Sequence, residues 1–420
     1  MPRNIRRRKV SGSALLITVV ISLVIGLICV MLILTLYNVL HAHSDLRIGN
    51  KLDRDLQSAI DLALTDAPSP GEGLVKKIDL FGTGNDSAQI QQELWGCYDL
   101  ASIQVKDGPR HKEKSFFYSA GVPSYMDGCL YLAEHKRSLF LTGKTILNGK
   151  VYLPGSGIKP GYIDQRGFEE SELMTGLREN SESSLPSPDM SILRYYTGMI
   201  DNGARGGGSG YIQDSLYLSF ADNLQIMRYK GKLLLTDQKL SGHLILISDS
   251  LIEIGGEAQL NNILLIAPAI RFDRNFTGKV QAFATDSILL DSNCNLRYPS
   301  SLAVVKREGD GGQPRLIISR NCLLEGMVLT WSKDNKFRTY MEVGMGSVVR
   351  GIIYSGGYLF LKGQVEGCVL TDFFLFRNGA SAYENYLVDA RLDRSLLPAG
   401  FLGPVIFREG NKNNIVQWVD

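Results

Sequence analysis

The chain has 420 residues, of which 44% are apolar, and a formal net charge of +2. This length and apolar content allow two or more domains with a sizeable core, and they exclude a disordered or fibrous protein. Five of the 45 basic residues lie within the first nine positions, so the rest of the chain is slightly acidic and does not favour nucleic acid as a partner.

The N-terminal segment predicts a membrane-spanning helix. Between Val10 and Ser44 there is no Asp, Glu, Lys or Arg, and the stretch from Ala14 to Leu36 is almost wholly apolar. As a helix, that stretch would be about 35 Å long, which is enough to cross a bilayer. A cleaved secretory signal is the alternative, but the apolar region of such a signal is shorter and ends in small residues.

Basic residues before this helix predict its orientation. By the positive-inside rule, the leader at residues 1–12 stays in the cytoplasm and the body lies across the membrane. We therefore expect a single-pass protein of the inner (cytoplasmic) membrane, with membrane lipid as a partner. The orienting residues are Arg3, Arg6, Arg7, Arg8 and Lys9.

The helix is expected to continue beyond the membrane as far as Asp66. Apolar residues recur at helical spacing after Asn50, no Pro or Gly interrupts them, and Pro68 then ends the pattern. A single helix over residues 13–66 would be transmembrane in its first half and amphipathic in its second half. We expect the body to cover its apolar stripe, which consists of Leu52, Leu56, Ile60 and Leu64.

The stretch from Lys9 to Leu23, KVSGSALLITVVISL, resembles the N-terminus of type IV pilin-like proteins, particularly PilX-type minor pilins and GspK-type pseudopilins of type II secretion. In these families a prepilin peptidase cuts after the Gly that ends a basic leader, and the apolar helix packs into a filament core. The resemblance implies a cut between Gly12 and Ser13. Most pilins carry Glu five residues after the cut, where this chain has Ile17. A plain uncleaved anchor is the alternative.

The next two segments are less regular. Residues 71–150 carry mixed strand patterns and predict a small β or α+β cap region, in which Cys97 and Cys129 would be able to form a disulfide outside the cytoplasm. Residues 151–232 predict a loop-rich connection with the first coils of a solenoid. Within them, the glycine-rich stretch 203–210 lacks the Lys-Ser or Lys-Thr of a phosphate-binding loop and predicts a linker.

Residues 233–379 repeat a short pattern about every 20 residues. Each unit has two apolar runs of about four residues, and often a third run before a glycine. Runs this short, bounded by Gly, Asn, Asp and Ser, predict strands. Because three short strands cannot bury their apolar side chains alone, the units must stack, and the pattern predicts a parallel β-helix. An antiparallel sandwich is the alternative.

The repeat also predicts which side chains face the interior and where the solenoid ends. Residues 380–420 lose the pattern and predict a C-terminal cap. The turn glycines expected at positive φ are Gly278, Gly326, Gly351 and Gly367. The expected inward ladder consists of Ile245, Leu265, Phe283, Val304, Leu329, Ile353 or Tyr354, and Leu370.

Sequence motifs for chemistry are lacking, so we expect no catalytic residues, no metal and no cofactor. Carboxylates at strand ends are the only candidates for polysaccharide chemistry, and Asp is also an ordinary turn residue at such positions. His41 and His43 point to different faces of a helix, which is not metal-ligand spacing. The candidate carboxylates are Asp249, Asp273, Asp286 and Asp291.

These expectations favour a non-enzymatic, membrane-anchored envelope protein that acts in surface assembly or adhesion. Its partners would be pilus-like assembly proteins or a surface polysaccharide. The alternative is a membrane-anchored, polysaccharide-active β-helix enzyme, in which three or more carboxylates would converge in one groove.

Overall fold

The computed structural model describes residues 12–66, 68, 71, 73–80, 86–201, 212–309, 311–333, 338–379, 381–410 and 412–419. The predicted orienting residues Arg3 to Lys9 and the glycine-rich stretch 203–210 lie outside them. The fold is mainly β, preceded by a long helix. The helices are α1 (Gly12–Ala63) and α2 (Met190–Gly198), and short 3-10 turns span Ser124–Met126, Arg394–Leu396 and Val405–Phe407.

The strands of the first half of the chain precede or begin the repeat. They are β1 (Leu74–Ile78), β2 (Asp86–Trp95), β3 (Tyr98–Asp107), β4 (Arg110–Ala120), β5 (Leu130–Leu132), β6 (Leu139–Thr142), β7 (Ile146–Asn148), β8 (Val151–Leu153), β9 (Ile158–Pro160), β10 (Arg178–Asn180), β11 (Ser215–Leu218), β12 (Gln225–Tyr229), β13 (Leu233–Leu235) and β14 (Lys239–Gly242).

The strands of the second half are longer where one strand runs through two faces of the repeat. They are β15 (Leu244–Ser248), β16 (Leu251–Ile254), β17 (Gln259–Phe272), β18 (Thr277–Leu290), β19 (Asn295–Val305), β20 (Arg315–Ile318), β21 (Leu323–Trp331), β22 (Thr339–Val343), β23 (Val348–Leu361), β24 (Gln364–Asn378), β25 (Ser381–Glu384), β26 (Tyr386–Val388), β27 (Arg391–Asp393) and β28 (Asn413–Val419).

A five-stranded antiparallel sheet, in the order β1-β2-β3-β4-β28, holds the C-terminal half of α1. Leu52, Leu56 and Ile60 are buried against one face of this sheet, in a cluster that includes Ile103 and Phe116. The prediction that the body covers the apolar stripe is confirmed for these three residues. Leu64, the fourth member of the stripe, is half-buried at the edge of the same cluster.

Side chains of the same sheet bind the C-terminal end of α1, where helix carbonyls have no partner within the helix. The amide of Gln92 donates to the Ala63 carbonyl at 2.9 Å. The amide of Asn413 donates to the Leu64 carbonyl, also at 2.9 Å. These contacts explain why α1 ends at Ala63, three residues before the predicted end at Asp66.

A second, closed sheet comprises β5, β7, β8, β10 to β25 and β27. Among the described residues, all its pairings are parallel except the β24–β25 hairpin, and β6, β9 and β26 form a separate parallel sheet. The apolar side chains stack from strand to strand in register. One such row runs Leu246, Leu265, Ala282, Leu302, Val328, Ile353 and Val369.

All the predicted ladder residues are buried, but they do not form a single inward ladder. Leu265, Val304 and Ile353 belong to the interior of the closed sheet. The others lie on its outer face, in the cluster shared with α2 and the antiparallel sheet: Ile245, Phe283, Leu329, Tyr354 and Leu370. Because this part of the sheet is covered on both faces, its strands read as continuous apolar runs, from which the inward face cannot be assigned.

Hydrogen bonds hold the turn between β2 and β3 against that outer face. The Gln281 side chain accepts from the Cys97 N–H at 2.6 Å and donates to the Trp95 carbonyl at 2.9 Å. The Tyr196 hydroxyl accepts a hydrogen bond from the Gly96 N–H at 2.7 Å. Gly96 has φ +65°, and a Cβ there would lie 2.2 Å from the Gln281 side-chain oxygen, so only glycine fits.

The order of stacking differs from the order of the chain. Beyond β24 the next partner is β5, which precedes the repeat in sequence, and β27 likewise pairs with β7. Asn148 donates to the Asp393 carboxylate at 2.9 Å across a separation of 245 positions. The sequence predicted a stack in chain order, with 71–150 leading in and 380–420 closing the end. Instead, β5 to β8 cover the otherwise open edge of β24 and β27.

Two further expectations are corrected. Cys97, in the β2–β3 turn, and Cys129, inside the closed sheet, are free thiols, so they do not form the disulfide that the sequence allowed. As predicted, Gly326, Gly351 and Gly367 have positive φ, whereas Gly278 does not. At each of these three glycines, a Cβ would lie 1.9 Å from a carbonyl oxygen of the preceding strand.

Leu265→Ala is expected to lower the free energy of unfolding by about 2–5 kcal/mol, because it opens a cavity inside the closed sheet. The measurement is urea unfolding of the full chain in detergent. The matched control, Leu234→Ala, removes a side chain that is 51% exposed and should cost less than about 0.5 kcal/mol. Equal losses for the two variants would show that Leu265 is not a core residue.

Candidate functional site

Of the predicted carboxylates, Asp273 and Asp291 lie next to each other, because each directly follows one residue of the in-register pair Phe272 and Leu290. The Asp249 carboxylate accepts the Gly231 N–H at 2.6 Å, and Asp273 pairs with Arg271 at 3.2 Å. Asp291 accepts the N–H of Ser292 at 2.6 Å, and this hydrogen bond lowers the pKa of Asp291. Asp286 lies beside the Ser287 hydroxyl. Within the described ranges, no cluster of three or more His, Cys, Asp or Glu could hold a metal ion.

The residues of the predicted peptidase cut lie at the start of α1, of which Gly12 is the first residue and Ser13 the second. From there, α1 is compatible with a transmembrane span, because its first half is apolar and is not buried by the rest of the protein. Cys29, within that stretch, is exposed.

An open groove of about 690 Å³ lies on the outer surface of the closed sheet, across β11, β14, β17, β18 and β19. These five strands contribute their short third runs, in which residues alternate in direction. Leu240 and Leu260 point inward, and the polar residues between them point to solvent. We call this surface the basic groove; its polar lining is Ser215, Tyr217, Lys239, Ser241, Gln259, Asn261, Thr277, Lys279 and Arg297.

The polar side chains of the basic groove are arranged in rows along the stack. Tyr217 is in register with Ser241, Ser241 with Asn261, and Asn261 with Lys279. Neighbouring parallel strands are about 4.8 Å apart, so five strands give the groove a length of about 20 Å. Tyr217 is 62% exposed at one end, and its ring is accessible to a ligand.

The lining of the basic groove has a net positive charge, and Glu325 on the next strand lies beside its end, where it accepts the Tyr298 N–H at 3.4 Å. The lining contains Lys239, Lys279 and Arg297 and neither Asp nor Glu. In the part of the chain that the structure describes, no ion pair within 4 Å involves these three cations. Burial and the neighbouring Arg297 charge lower the pKa of Lys279, whose ammonium donates to Gln417 at 3.3 Å.

Further along the same face, the charges are paired. Arg350 lies between the Glu325 and Glu366 carboxylates, at 2.6 Å from Glu366 and in direct contact with Glu325. On this face, cations without an ion-pair partner are therefore found on strands β11 to β19. An anionic ligand would find cations there without having to break existing ion pairs.

Sequence reasoning did not single out the basic groove. Its cations are separated by 40 and 18 positions along the chain, from Lys239 to Lys279 to Arg297, and only the register of the strands brings them onto one surface. One sequence signal could have indicated the basic groove. The outward positions of the third apolar runs contain no Asp or Glu until Glu325.

A second cavity, of about 730 Å³, lies between the start of α2 and the segment 405–409. The carboxylate of Asp99 reaches it and contacts the guanidinium of Arg408 directly. Burial raises the pKa of Asp99 from 3.8 to about 7, although the Arg408 charge acts in the opposite direction. Because this pair joins β3 to the C-terminal segment, we interpret it as a structural contact between them.

A scan against protein-family models found no match, and searches of the curated proteins and of the solved structures found no similar protein. The chemistry and placement of the described residues are thus the basis for assigning a function.

Asp99 is expected to make stability depend on pH. Its pKa is raised in the folded state, so the folded chain binds more protons than the unfolded chain between about pH 4 and pH 7. The free energy of unfolding should therefore fall as the pH rises through this window, by up to about 4 kcal/mol. Asp99→Asn should remove that slope.

The measurement is urea unfolding of the full chain in detergent at pH 5, 6, 7 and 8. Subtracting the profile of Asp99→Asn from that of the wild type isolates the contribution of this carboxyl from other titrating groups. Parallel profiles for the two proteins would contradict the raised pKa.

Proposed function

We propose that this protein is a non-enzymatic, pilin-like subunit of the cell envelope that carries a parallel β-helix as its extracytoplasmic body. Its α1 would be held in the inner membrane, with the leader in the cytoplasm, and would pack among the helices of other subunits. The observation that carries this proposal is the division of α1 into two halves with different environments.

The first half of α1 is apolar on every face. The large apolar side chains of this half, including those of Leu15, Leu27 and Leu36, are 49–72% exposed. The second half has only one apolar stripe, and the antiparallel sheet buries it. A lipid anchor alone needs only the first half. In the pilin-like families that residues 9–23 resemble, one helix has both tasks: packing in a filament core and supporting its own globular domain.

The β-helix assignment rests on pairing and glycine geometry. Parallel strands in the closed sheet repeat in register at spacings close to those of the sequence repeat, as in the row from Leu265 to Ile353. Gly326, Gly351 and Gly367 occupy equivalent corners in successive repeats. These features are typical of stacked coils.

A binding role is favoured over catalysis by the lining of the basic groove. Its cations, amides and hydroxyls can hold a ligand, whereas the hydrolysis of a polysaccharide usually requires a pair of carboxylates. Three of the strand-end carboxylates that were candidates for such chemistry, Asp249, Asp273 and Asp291, are engaged with neighbouring main-chain or basic groups.

If a prepilin peptidase processes the chain, mass spectrometry of the native protein should find an N-terminus at Ser13, methylated or unmodified. Gly12→Val should block the cut, because the leader glycine is the residue that the peptidase family recognises in the proteins this chain resembles. The matched control is Gly26→Ala, since Gly26 lies in open space within the same helix. This variant should be cut normally.

Membranes that contain the processed protein would be treated with a thiol crosslinker that reacts at the exposed Cys29. Pilus-like assembly proteins should then be recovered together with the processed protein. An intact Met1 or Pro2 in the wild type, together with no crosslinked partner, would contradict the pilin-like function and leave a plain membrane anchor.

A further inference from the structure

We propose that the basic groove binds an acidic polysaccharide, that is, a chain of sugars carrying carboxylates such as a polyuronate. The proposal names a ligand for the body of the protein and goes beyond the proposed function. It holds whether or not α1 enters a filament, because the basic groove lies entirely on strands of the closed sheet.

The first argument is charge. Lys239, Lys279 and Arg297 line one continuous surface without a carboxylate among the lining residues. Lysine and arginine form their strongest hydrogen bonds with ionised carboxylates or phosphates. Lys279 is half-buried, so its ammonium has lost part of its hydration. An anion bound next to this ammonium would restore part of the stabilisation that the charged form has lost.

The second argument is the large share of neutral polar groups. Gln259 and Asn261 are exposed amides, each with both donors and acceptors, and hydroxyls from Ser241 and Thr277 lie beside them. Such groups match sugar hydroxyls, which also both donate and accept. The exposed ring of Tyr217 offers an apolar surface for the C–H face of a sugar ring. A simple anion or a phosphate polymer would make little use of these groups.

The third argument concerns the main chain. The floor of the basic groove is the face of a sheet, in which β14, β17 and β18 pair with neighbours along the stack. Their N–H and C=O groups are therefore occupied, and an extended acidic peptide cannot add to them as a strand. A polysaccharide needs only the side chains, which recur about every 4.8 Å along the groove.

The test measures binding of the full chain in detergent to sodium polygalacturonate, by calorimetry at low salt. We expect saturable binding that weakens as salt is added. The double variant Lys239→Glu with Arg297→Glu should bind at least tenfold more weakly. Its melting temperature should be unchanged, because both residues are exposed. The charge-matched control, Lys77→Glu with Lys159→Glu, changes exposed lysines on β1 and β9 and should bind within twofold of the wild type.

A third variant separates sugar recognition from charge. Tyr217→Ala should weaken the binding of polygalacturonate at least threefold, without changing any residual binding of polyglutamate or of vesicles that contain anionic lipid. The inference is overturned if polygalacturonate does not bind the wild type, or if the double variant and its control bind equally. It is also overturned if polyglutamate or the vesicles bind as tightly as polygalacturonate, since the surface would then recognise charge alone.

Discussion

The pairing of β24 with β5 is the contact on which the rest of the structure depends. It joins Val369 to Leu130 and lets the row of buried side chains continue from a late part of the chain into an early one. Without it, β24 and β27 would end the stack with unpaired main-chain groups. Because β5 follows β4 closely in sequence, the same contact also fixes where the antiparallel sheet lies.

The antiparallel sheet then has both faces buried. One face covers the outer surface of the closed sheet, where Gln281 and Tyr196 bind the β2–β3 turn. The other face covers the second half of α1. The C-terminal strand β28 returns to pair with β4, so the sheet that packs against α1 also contains the last described strand. The helix α1 and the closed sheet are thereby joined through the packed side chains of the antiparallel sheet.

The sequence was sufficient for features set by local patterns. The apolar stripe of α1 follows from helical spacing, and the mainly β character of the body follows from short apolar runs bounded by Gly and Asn. Inward and outward residues could not be separated where strands are covered on both faces, as at Phe283 and Leu329. Neither the order of stacking nor the basic groove could be predicted, because both depend on register between residues far apart in the chain.

The out-of-order stack can be tested directly with two cysteines on its outer surface. Ile146 and Arg391 are in register on the neighbouring strands β7 and β27. In the full chain carrying Ile146→Cys and Arg391→Cys, a short bifunctional thiol reagent should crosslink the two positions, as shown by mass spectrometry of the digested protein. The control pair, Arg391→Cys with Leu234→Cys, should not crosslink. Absence of the Ile146–Arg391 crosslink, or equal yields for both pairs, would contradict the account.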